Sequence, residues 1–113
     1  MTIPNFFNAK HSGEYHYQPN QRQLLLDSAG YRSDNSITAA ITDRMKVNLL
    51  LIDLQRDFCF PEGSLYVAGR SGNGAIEDST RISQFIYRNM NQISQITTTL
   101  DTHFAVQIFF PFF

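Results

Sequence analysis

Apolar positions are spread unevenly along the chain, and their spacing predicts its elements. KVNLLLIDL, residues 46–54, is a short and nearly unbroken apolar run, the pattern of a strand buried on both faces of a sheet. AIEDSTRISQFIYRNM, residues 75–90, sets Ile82, Phe85, Ile86 and Met90 at helical spacing, which predicts one buried stripe. QISQITTTLD, residues 92–101, is β-branched and apolar between polar residues, and reads as a second strand. Between first strand and helix lies a long turn-rich stretch punctuated by Pro61, Gly63, Gly69, Gly72 and Gly74. The order strand, loop, helix, strand is a βαβ unit. It predicts adjacent parallel strands near 47–53 and 94–100 joined by a right-handed crossover.

Upstream the pattern is less regular. Residues 1–20 are polar and aromatic, hold Pro4 and Pro19, and show no period, so they read as an irregular extension. NQRQLLLDSAGY predicts a short helix packed through Leu24, Leu25 and Leu26, with Gly30 as its C-cap. RSDNSITAAITDR reads as a loop running into a short helix. The expected division is a partly helical extension over 1–45 and a βαβ segment over 46–113. The fold class is α/β.

Composition narrows the function. Nine Lys and Arg nearly balance ten Asp and Glu, which leaves no electrostatic case for nucleic acid or an anionic membrane as partner. A single cysteine, Cys59, makes no internal disulfide and suits a reducing compartment. The start, MTIPNFFNAKHSGEYHYQ, lacks the basic and apolar regions of a signal peptide, and no apolar run reaches the length of a membrane span. These features point to the cytoplasm. FAVQIFFPFF, residues 104–113, is dense in apolar and aromatic side chains. It reads as part of a larger core from which the chain is truncated, or as a tail docked on its own core.

Candidate chemistry sits at the strand ends. In open α/β sheets ligands bind at the carboxyl ends of strands. Asp53 ends the first strand; Asp101 and His103, in TLDTHF, end the second. Two residues apart in extended chain, Asp101 and His103 point to one side, and carboxylate plus imidazole is a common start to a metal site. Taken alone, the same residues also read as a turn cap, a surface histidine and a loop-capping acid.

The combination is more specific than its parts. LLLIDLQRDFCFPEGSLYVAG, then a helix, then a strand ending TLDTH, resembles the isochorismatase-like cysteine hydrolases, and among them the nicotinamidase-type amidases. The pattern shared is an apolar strand, D-x-Q-x-D-F, a G-S-L loop, a helix and D-x-H, over residues 46–113. The resemblance implies the beginning of a three-layer, parallel-sheet, Rossmann-like domain, preceded here by an extension. It implies that Asp53 is the catalytic aspartate accepting the proton of a nucleophilic thiol. Phe58 would line the substrate pocket, and Asp101 with His103 would be ligands of a divalent metal, zinc, iron or manganese. Gln55 and Asp57 match the motif but are assigned to the hydrogen bonds of the loop.

The implied reaction is hydrolysis of a small amide through a covalent thioester, in an enzyme that can be a homo-oligomer. Such enzymes use an aspartate, a lysine and a cysteine. The lysines here, Lys10 and Lys46, both precede the first strand, and Cys59 follows it directly, where a noncatalytic cysteine is expected. The chain is therefore expected to be inactive alone and to bind metal weakly. The alternative is a noncatalytic subunit or pseudoenzyme of the same fold. An α/β phospho-acceptor domain fits less well, since it would carry an acidic pair earlier in the chain and a later lysine.

Overall fold

The computed structural model describes residues 1–102. In chain order its α-helices and strands are helix α1 (Gln21–Asp34), strand β1 (Asn48–Leu51), the single-turn helix α2 (Arg56–Cys59), helix α3 (Gly74–Asn89) and strand β2 (Gln95–Thr98). Short 3₁₀ turns occupy Ala9–Gly13 and Ala40–Thr42.

β1 and β2 pair in parallel, with Asn48 opposite Gln95 and Leu51 opposite Thr98. Registered residues of a parallel pair share a face, so Leu49, Leu51 and Ile96 lie on one side and Leu50 and Thr97 on the other. α3 covers the Leu49 and Leu51 side. Its apolar period gives it that face, and Glu77 in its first turn and Arg88 in its last match the helix dipole. The mixed α/β architecture with a two-stranded parallel sheet is the one expected from the apolar pattern.

Burial departs from that expectation. Leu50 is 51% exposed and Ile52 69% exposed, so β1 is covered on one face only, because α3 lies on one face alone. The stripe expected on α3 is not fully buried either: Ile82, Ile86 and Met90 are half-buried, and Phe85, which shares their period, is 52% exposed. It borders an open gap of about 320 Å³ between Leu49 and Leu51 on the sheet and Asp78, Arg81 and Ile82 on the helix. α1 also differs. It continues through Gly30 to Asp34 and is followed by Asn35, and Leu25 and Leu26 stand exposed.

The amino-terminal segment packs on the other side of α3. The Met1 ammonium donates to Arg88 O at 2.9 Å, and Pro4 is buried. Phe6 and Phe7 meet the Tyr87 ring edge-on at 5.9 and 5.7 Å, and Tyr31 of α1 joins them while its hydroxyl donates to Thr2 O at 2.7 Å. Each such aromatic pair contributes about 0.5–1.5 kcal/mol beyond its buried area. Further along, Gly13 sits beside Ile76, and Tyr15 packs on Phe60 beneath the Arg56 guanidinium.

Candidate functional site

The site begins where β1 stops being a strand. At Asp53 the backbone turns left-handed, with φ of 54°, a conformation aspartate tolerates better than most side chains. The turn is closed by Gln55 N–H donating to Asp53 O at 2.9 Å. Across from it Thr99 N–H donates to Leu51 O at 2.9 Å and keeps β2 in the ladder. The Thr99 hydroxyl meets Asp53 twice. It accepts from Asp53 N–H at 3.0 Å and donates to Asp53 Oδ1 at 3.1 Å.

Gln55 ties the two strand ends together. Its Nε2–H donates to Asp101 O at 3.1 Å and its Oε1 accepts from Asp101 N–H at 2.7 Å. A side-chain amide thus pairs with a peptide unit as a neighbouring strand would.

The single turn of α2 then carries Phe58 and Cys59 inward. The loop after it folds back over α2, with Leu65 N–H donating to Asp57 O at 3.0 Å and Val67 N–H to Phe58 O at 2.9 Å. This return needs Gly63, because a side chain there would collide with the carbonyl oxygens of Asp57 and Arg56. Gly74 N–H to Ala68 O at 2.7 Å and Ala75 N–H to Val67 O at 3.1 Å fasten the loop to the start of α3.

These elements enclose a cleft of about 490 Å³ at the carboxyl end of β1. Asp53, Phe58, Cys59, Val67 and Ile82 are among its walls, and Asp78 borders it while paired with Arg81. The lining is apolar apart from these acids and the thiol, the composition common to small-molecule clefts.

No protein-family model matches the chain, and comparisons with curated proteins and with solved structures give no match either.

Of the residues singled out by sequence, Asp53 and Phe58 share the cleft. Asp101 is not among the residues lining it; its peptide is bonded to Gln55, two residues after Asp53. His103 lies outside the described residues. Of the two expected metal ligands the described residues thus hold one, Asp101, and no three His, Cys, Asp or Glu side chains among them gather as a cation site. Cys59 is 8% exposed, packed as a small apolar residue in the cleft wall. Lys46 lies at the amino end of β1, where its Nζ donates to Ala40 O, at the opposite end of the strand from Asp53. No helix among the described residues is long and apolar enough to cross a membrane.

Two participants escaped the sequence pattern. Thr99 reads there as one β-branched residue among several, and its position two before Asp101 is the only signal of its role. Val67 lies in the turn-rich stretch, and its place in the wall follows from the fold-back of the loop alone.

Proposed function

We propose that the chain carries the aspartate-bearing part of a small-amide hydrolase site of the nicotinamidase and isochorismatase-like kind. The observation that supports it is Asp53. It is a carboxylate at a left-handed turn on a strand's carboxyl end, held by Thr99, and it opens on an apolar cleft walled by Phe58. That is the placement a proton acceptor needs in order to work beside a flat substrate.

In this reading a cysteine thiol attacks the carbonyl carbon of a small amide such as nicotinamide. The thiol proton passes to Asp53 and then to the leaving nitrogen, which departs as ammonia. Water cleaves the thioester, giving the carboxylic acid and restoring the thiol. Phe58 supports the ring of the substrate. A divalent cation, with Asp101 and His103 among its ligands, would supply orientation of the substrate or of a bound water. Cys59 is buried and Lys46 faces the other end of the strand, so the nucleophile and its lysine come from elsewhere in the polypeptide or from a partner chain.

A second reading, a noncatalytic subunit of the same fold, draws on the open sheet face at Leu50 and Ile52, which a partner would cover. One experiment separates the two. A tag placed ahead of Met1 in the source cells retrieves the polypeptide with whatever accompanies it. Ammonia release from nicotinamide and other small primary amides is then measured. The hydrolase reading expects turnover that Asp53→Asn lowers by about 10²–10⁴-fold. Absence of amide turnover in that preparation, or turnover indifferent to Asp53→Asn, rejects it in favour of the noncatalytic one.

A further inference from the structure

We infer that Thr99 is a positioning residue that determines which carboxylate oxygen of Asp53 faces the cleft. The kinetic consequence rests on the hydrolase reading; the geometry does not. A threonine hydroxyl has one proton to give and two lone pairs to accept with. Here the proton goes to Asp53 Oδ1 at 3.1 Å, and a lone pair takes Asp53 N–H at 3.0 Å. One oxygen on the neighbouring strand therefore holds both the backbone and the side chain of Asp53.

The need for this arises from the turn. In a regular parallel ladder the Asp53 N–H would reach the next carbonyl of β2. Here β1 ends at Leu51, and the Thr99 hydroxyl supplies the acceptor instead. The Thr99 backbone cannot drift, because its own N–H stays bonded to Leu51 O at 2.9 Å. Two bonds converging on one hydroxyl restrict the side-chain rotation of Asp53. With Oδ1 engaged by a donor, Oδ2 takes no hydrogen bond from the described residues and is the oxygen left to receive a proton. A serine at position 99 keeps this arrangement. A valine, of nearly the same shape, removes both bonds.

The test compares wild type, Thr99→Val, Thr99→Ser and Asp53→Asn in the tagged polypeptide, retrieved with whatever accompanies it. Hydrogen–deuterium exchange is followed in the peptide spanning Asp53, and amide hydrolysis is measured as kcat and KM separately. Thr99→Val is expected to speed exchange at Asp53 and to lower kcat by about 10- to 100-fold with KM little changed, since misplacing a reacting group by about 1 Å costs that much. Thr99→Ser should restore both. Circular dichroism establishes that each variant is folded. Unchanged exchange at Asp53 in Thr99→Val overturns the inference. So does an unchanged kcat in Thr99→Val when Asp53→Asn abolishes turnover. If Asp53→Asn leaves turnover as it was, the hydrolase reading is what fails, and the exchange measurement still decides whether Thr99 holds Asp53.

Discussion

The side chain of Gln55 and the peptide of Asp101 form a closed two-bond pair, one bond in each direction, at 3.1 and 2.7 Å. The pair spans the gap between the turn after β1 and the end of β2, where the ladder itself has run out. It sets the distance between the carboxylate of one strand end and the rim of the other.

Gln55→Ala should therefore cost about 1–2 kcal/mol, two net hydrogen bonds at a partly solvated site. Gln55→Glu should recover little of this. It keeps the acceptor for Asp101 N–H but turns a second acceptor toward Asp101 O. Urea unfolding of both variants checks the order; a glutamate variant as stable as wild type would contradict the assigned bond directions.

Asp53 offers a test in which an ordinary preference reverses. Elsewhere in a regular element glycine is less stable than alanine by about 0.5–1 kcal/mol. At a left-handed position the alanine Cβ is penalised by about 1–2 kcal/mol, and glycine is not. Both substitutions lose the Thr99 bond equally. Asp53→Gly is thus expected to be more stable than Asp53→Ala in thermal unfolding, and the opposite order would mean that φ of 54° is not the resting conformation.

The same local logic explains what is readable in the sequence and what is not. Ile82 and Ile86 recur at helical spacing, so α3 and its direction follow from the pattern. Phe85 obeys that spacing yet is half exposed, because periodicity tells which way a side chain points and not whether anything lies there. The unbroken run through Leu50 and Ile52 predicts two covered faces for β1, whereas α3 covers one. Gly30 resembles a helix stop, but a glycine ends a helix only where the backbone turns left-handed, and α1 passes through it. Asp53 and Phe58 are marked by the motif. Their supports, Thr99 and Gln55, bond to residues 46 positions away, and no local pattern announces such a pairing.

Gly63 permits the loop to lie on α2. A Cβ there would run into backbone carbonyls, which cannot swing aside as a flexible side chain can. Gly63→Ala is expected to destabilise by about 1–3 kcal/mol and to loosen the wall formed by Val67. Limited proteolysis should cut the variant faster between residues 60 and 70 than wild type; equal cutting rates would show that the loop does not depend on that close approach.

Tyr87 gives the fold a dependence on alkaline pH. Burial raises its hydroxyl above the ordinary tyrosine value, and Tyr31 adds to the rise. The folded state then keeps its proton at a pH where the unfolded chain has released it. Stability is complete below the ordinary value of about 10 and falls as pH rises through the folded one. Tyr87→Phe removes this loss. Its unfolding midpoint should decline less than that of wild type between neutral and strongly alkaline pH, and parallel declines would place the alkaline sensitivity in another group.

Cys59 is the remaining thiol question, and its packing answers it. A catalytic cysteine has to present a thiolate to the substrate carbonyl, which calls for access and a cationic neighbour. Cys59 is 8% exposed, and Lys46 is held by Ala40 O at the far end of β1. Asp53 shares the cleft with it and brings no cation. The 113-residue chain alone is therefore expected to release ammonia from nicotinamide no faster than buffer does. Cys59 should react with iodoacetamide much more slowly in the folded chain than in urea. Cys59→Ala, which alters the cleft wall but not the proposed chemistry, should not abolish amide turnover in the tagged preparation. Ammonia release by the chain alone that Cys59→Ala abolishes would make Cys59 the nucleophile and Asp53 its direct partner.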